Sequence, residues 1–105
     1  MKRYTVQITD RALRDMEEIY TYIAEQLQSP ENAMNQYNRI AKGIEGLDIF
    51  PERVHVMESE PEHSMRLRQF PIDNFSAFYI IEGDSVIVTR VLYSASDISR
   101  RLRET

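Results

Sequence analysis

Arg66 and Arg68 stand two residues apart in the alternating stretch Met65-Arg66-Leu67-Arg68. In a strand this spacing turns both guanidiniums to one face and sends Met65 and Leu67 toward the core. A guanidinium is permanently charged, and its planar fork meets a phosphate in two places. The pair is then either a phosphate clamp or charged decoration that keeps an edge strand from pairing with another chain. Tyr93 closes the last apolar segment, Val86-Ile-Val-Thr-Arg-Val-Leu-Tyr93. The three side chains outline one candidate chemistry, metal-free cleavage of RNA by attack of a 2′-hydroxyl on its own phosphate. Arg66 or Arg68 would neutralise the charge on the phosphorane, and Tyr93 would orient the substrate or exchange a proton. A phenol with its ordinary pKa near ~10 is a weak base at neutral pH, so this role demands cationic neighbours.

Other chemistries lack their residues. The 105-residue chain has no cysteine, which removes disulfides, thiolate catalysis and Cys-ligated zinc. Gly43, Gly46 and Gly83 are scattered rather than gathered into a phosphate loop. His55 and His63 lie near Glu58, Glu60 and Glu62 without metal-ligand spacing, so no metal and no cofactor are expected. Ser94 and Ser96 have no histidine base nearby in sequence. The formal charge of −4 argues against a uniformly basic surface that coats nucleic acid. That charge is unevenly spread. Residues 1–62 carry seven bases and twelve acids, whereas residues 63–105 carry six bases, all arginine, and five acids. No leader pattern or membrane-length apolar run is visible, so a soluble cytoplasmic chain is expected.

The elements that would position these residues follow from periodicity. At 42% hydrophobic and 29% charged, the chain fits a single domain over residues 1–105. Residues 3–9 alternate Tyr4, Val6 and Ile8 with polar neighbours, which predicts a strand. From Arg11 the period changes. Leu13, Met16, Ile19, Tyr20, Ile23, Ala24 and Leu27 fall on one helical stripe, capped by Thr9 or Asp10, and the opposite face with Arg14, Asp15, Glu17, Glu18 and Glu25 reads as solvated. Ser29-Pro30-Glu31 predicts a second helix start, and Phe50-Pro51 its end. Gly43 and Gly46 inside it point to close packing or fraying. Four strand-like segments follow: Arg53-Met57, Met65-Phe70, Phe75-Ile81 and Val86-Tyr93, with a tight turn at Glu82-Gly83-Asp84. The last two are apolar on both faces and belong in the middle of the sheet. Arg90 interrupts the final strand, which calls for an acidic partner or a cleft. Asp97 can cap a short terminal helix, Ile98-Arg103. The expected architecture is α+β: a strand, a two-helix hairpin, then an antiparallel sheet (β-α-α-β-β-β-β) with a short C-terminal helix.

That order, together with the text from Tyr4 to Ile23, Leu47-Asp-Ile-Phe-Pro51, Met65-Arg-Leu-Arg68, Phe75-Ser-Ala-Phe-Tyr-Ile-Ile81 and Val86 to Tyr93, resembles the RelE/ParE superfamily of bacterial toxins over nearly the whole chain. The resemblance implies the toxin of a type II toxin–antitoxin module, neutralised by a cognate antitoxin protein that wraps it. It implies one of two targets: ribosome-bound mRNA, cut without metal, or DNA gyrase, inhibited without cleavage. A toxin-fold binding module with degraded activity is a third outcome. Arg68 matches the family's strand arginine at the scissile phosphate, and Tyr93 falls close to its end-of-strand catalytic position. Two positions depart from the pattern. Ser76 stands where many relatives carry arginine, and Tyr93-Ser-Ala-Ser-Asp97 lacks the histidine or basic residues that RNA-cutting members often place there.

Overall fold

The computed structural model describes residues 2–104. Strand β1, Thr5–Ile8, leads into helix α1, Asp10–Thr21, whose first free amides are met by Thr9: its hydroxyl accepts from the Ala12 amide at 3.1 Å. The last turn widens over Tyr22–Gln26, where the Leu27 amide reaches back to the Tyr22 carbonyl. Helix α2, Pro30–Glu45, begins on Pro30, but the Ser29 hydroxyl expected to cap it makes no such bond. Two short 3₁₀ turns, Gly46–Asp48 and Pro51–Arg53, lead away from the hairpin. Strands β2, Arg68–Ile72, β3, Phe75–Glu82, and β4, Ser85–Tyr93, follow, then helix α3, Ile98–Arg103, capped by Asp97.

The sheet runs β1-β4-β3-β2, with β3 and β4 central as their two apolar faces required. It is mixed, because β1 pairs with β4 in parallel while the other pairs are antiparallel. Only four strands are built among the described residues. The expected strand at Arg53-Met57 is a 3₁₀ turn followed by a single bridge between Val56 and Arg68. The strand expected from Met65 begins at Arg68 instead, because residues 61–67 coil on themselves: the amides of Met65, Arg66 and Leu67 bond back to the carbonyls of Pro61, His63 and Glu62.

The two helices cover one face of the sheet. Ala12 and Met16 of α1, with Ile40 and Ile44 of α2, pack on Ala77, Tyr79, Val86, Val88 and Val91. The alternate residues face the other way and are covered too. Leu67, Phe78 and Leu92 form a second, smaller core with Met57, Ile80 and the α3 residues Ile98 and Leu102. A bulge in β4 makes this arrangement possible. Phe78 pairs with Arg90 but Tyr79 pairs with Val88, so Thr89 is supernumerary, and both Val88 and Val91 reach the helical side although they are three residues apart.

Candidate functional site

Arg68 is the first residue of β2, paired with Tyr79. Its Nη1 donates to the carbonyl of Val54 and, at 3.3 Å, to that of Glu52, so the guanidinium ties down the turn before it. Arg66 is not on that strand. It sits in the preceding coil at φ +58° and is exposed, so strand alternation does not apply and the expected shared face of Arg66 and Arg68 is not formed. Tyr93 ends β4, paired with Phe75, against whose ring it packs edge-on at 5.8 Å. Arg68 and Tyr93 thus lie two strands apart, with their partners Tyr79 and Phe75 four residues apart along β3, roughly 16 Å between Cα atoms by strand geometry. Arg66 in the coil, Arg68 opening β2 and Tyr93 closing β4 are placed on three separate segments.

In register with Tyr79 and Phe75, Arg68 and Tyr93 lie on the face that the helices cover, not on the opposite face. The middle of that opposite face is filled by the second core, and Ser76 is fully buried in a chain of bonds from Gln69 Nε2 at 3.1 Å and to Ser94 Oγ at 2.7 Å. Arg90 is 5% exposed and held by Asp15, itself 2% exposed. The Arg90 Nε donates to Asp15 Oδ2 at 2.7 Å and Nη2 to Oδ1 at 3.2 Å, while Nη1 donates to the Arg101 carbonyl at 2.7 Å. Asp15 had read as part of a solvated helix face; it is the buried acid that Arg90 required. The remaining Asp15 capacity takes the Val91 amide at 3.0 Å, an edge amide left free because β1 stops at Ile8. The pair therefore joins α1, β4 and α3, with Asp15 in the wall of a groove.

The same early end of β1 leaves a groove. Ile19, Tyr22 and Leu27 of the helical hairpin face Phe75, Val91 and Tyr93 of the sheet across a cavity of about 820 Å³. Tyr22, Leu27 and Tyr93 are each at least half exposed along it. This surface, and not a cationic hollow, is the main concavity at Tyr93. His63 approaches Glu60 at 3.5 Å, and no three His, Asp or Glu side chains among the described residues are gathered to hold a metal. No described helix is long and apolar enough to cross a membrane.

A curved mixed sheet with a two-helix hairpin on one face and a short terminal helix on the other is the architecture of RelE/ParE-type toxins. It overlays the chromosomal ParDE toxin–antitoxin system from P. aeruginosa with a TM-score of 0.73 and 19% identity, over 87% of this chain and 96% of that one. The RelBE2 toxin–antitoxin complex from Mycobacterium tuberculosis gives a TM-score of 0.61 at 19% identity, over 91% and 97% of the two chains. Comparison with curated proteins returns no match. Residues 6–98 match the family described as the ParE toxin of the type II toxin–antitoxin system, parDE. The chain belongs to that family of toxins.

Proposed function

We propose that this toxin arrests growth in the cytoplasm by binding DNA gyrase rather than by cutting mRNA, and that a cognate antitoxin protein neutralises it. The observation that carries the proposal is that Arg68 and Tyr93 are engaged apart from one another: Arg68 Nη1 is held by the carbonyls of Glu52 and Val54, while the Tyr93 ring packs on Phe75, four residues along β3 from the Arg68 partner Tyr79. A phosphoryl-transfer site needs its charge-stabilising and proton-transferring groups within hydrogen-bond reach of one phosphate. Both residues lie on the sheet face that the helices cover, in register with Tyr79 and Phe75, which points the same way. Membership of the ParE family and the lack of histidine or basic residues in Tyr93-Ser-Ala-Ser-Asp97 support gyrase over the ribosome.

The groove beside Tyr93 suits the antitoxin. Its wall carries Ile19, Tyr22, Leu27, Phe75 and Val91 beside the charged Asp15, Glu18 and Arg101, a mixture that an amphipathic segment matches. The purified toxin is expected to inhibit gyrase supercoiling of relaxed plasmid, with relief on adding antitoxin, and to leave mRNA intact in a translating extract. Cleaved mRNA with unaffected supercoiling would reverse the assignment.

A further inference from the structure

Helix α1 and its widened last turn send one stripe of side chains into the groove at Tyr93: Asp15, Glu18, Ile19 and Tyr22, spaced by three and four residues. The stripe changes character along its length. Toward the hairpin tip it is apolar and continues into Leu27, whereas its other end carries the two acids. The start of α2 and the turn between β2 and β3 add Ser29, Asn32, Gln36 and Asn74 to the wall, none of them charged.

Two of the three charged side chains in the wall are already matched. Asp15 accepts both forks of Arg90, and the Arg101 Nε lies 3.1 Å from a Glu104 carboxylate oxygen. Glu18 is exposed and takes part in no salt bridge among the described residues. Arg14, one turn before it, makes no ion pair with it and lines with Glu17 a separate shallow hollow of about 460 Å³. Glu18 and Tyr22 line both concavities and so form the ridge between them. Tyr22 follows Glu18 by one turn and is 57% exposed. An open ring one turn from an unpaired carboxylate offers a cation both an ion pair and a π face.

We propose that Glu18, beside the Tyr22 ring, seats a lysine or arginine of the antitoxin, so that the segment filling the groove is basic next to its apolar side. The inference rests on the groove being the antitoxin site, as proposed above. Charge complementarity selects this occupant: a cation matches the one unpaired ionised group of the wall, whereas an acidic segment sets a second carboxylate against it. The helical hairpin points the same way, for residues 10–45 hold four bases and seven acids. The same carboxylate repels a phosphate chain, which makes the occupant a protein segment rather than a nucleic acid.

The test measures binding of two synthetic amphipathic peptides of about four helical turns to the purified toxin by fluorescence anisotropy. Both carry the same leucine face, flanked in one by arginine and in the other by glutamate. The arginine peptide should bind at least tenfold tighter. Glu18→Lys should cost it at least tenfold and Tyr22→Leu at least threefold, while Glu17→Lys, one residue away and outside the groove wall, should change its affinity less than twofold. The proposal is overturned by equal or tighter binding of the glutamate peptide, by no binding of either, or by undiminished affinity with Glu18→Lys or Tyr22→Leu. Equal losses with Glu17→Lys and Glu18→Lys would show general attraction to an acidic helix and overturn it too. Leu27→Asp reports on the groove itself and should abolish relief of growth arrest by co-expressed antitoxin. Unchanged relief would remove the groove as the antitoxin site; lost relief without a Glu18 effect would remove only the cation seat.

Discussion

Asp15 shows how a single buried carboxylate can organise several elements. It accepts both forks of Arg90 and the amide of Val91, so removing it strands a buried guanidinium and an edge amide together. Breaking one side of a buried pair costs about 3–5 kcal/mol. Asp15→Ala should lose stability in that range by chemical denaturation, whereas an apolar replacement of both partners, Asp15→Leu with Arg90→Met, should recover much of it. Half of this was readable in the sequence. An arginine inside an apolar strand demands a counter-charge, but Asp15 sits among five other charged residues on α1, and nothing in its local text separates it from them. Tyr79 is a second case. Its hydroxyl satisfies the Pro51 carbonyl, and burial pushes its pKa up to about 12. A raised native pKa means that the contribution is complete below the ordinary tyrosine value near ~10 and is lost as pH climbs through the native one. Tyr79→Phe should cost about 1–2 kcal/mol at neutral pH and flatten the alkaline limb of the stability curve between those values.

Helix α2 separates two glycines that looked alike. A Cβ on Gly43 would come within 2.7 Å of the Ile72 side chain, so this glycine allows the helix to lie close on β2. A Cβ on Gly46 meets nothing, and its φ of −67° suits any residue. Gly46→Ala should therefore add up to about 1 kcal/mol, while Gly43→Ala should forfeit its helix-propensity gain to the displacement of Ile72; paired thermal melts decide this. Strands β3 and β4 and both long helices were legible because their periodicities run for eight or more residues. The parallel pairing of β1 with β4 was not, since it joins the first and last strands of the chain and leaves no local trace. Alternation over Arg53-Met57 and Met65-Leu67 misled for a related reason. Those residues do bury alternate side chains, Leu67 among them, but in coil that lies over the sheet rather than within it.

The whole molecule is acidic overall and both sheet faces are covered in their middle, while the groove at Tyr93 stays open. The family and the architecture could be recognised from the sequence, because they depend on the order of elements. The shared face expected of Arg66 and Arg68 could not be judged there, because it depended on where β2 begins, and that is set by the coil of residues 61–67. A toxin that works by docking needs Arg66 and Tyr93 for no chemical step. The most direct measurement is growth arrest by the Arg66→Ala, Tyr93→Phe double variant expressed without antitoxin, with mRNA integrity followed by primer extension. Arrest as strong as the parent's, over intact messages, is the predicted result; cleaved messages with the parent, and at least tenfold weaker arrest with the variant, would contradict it.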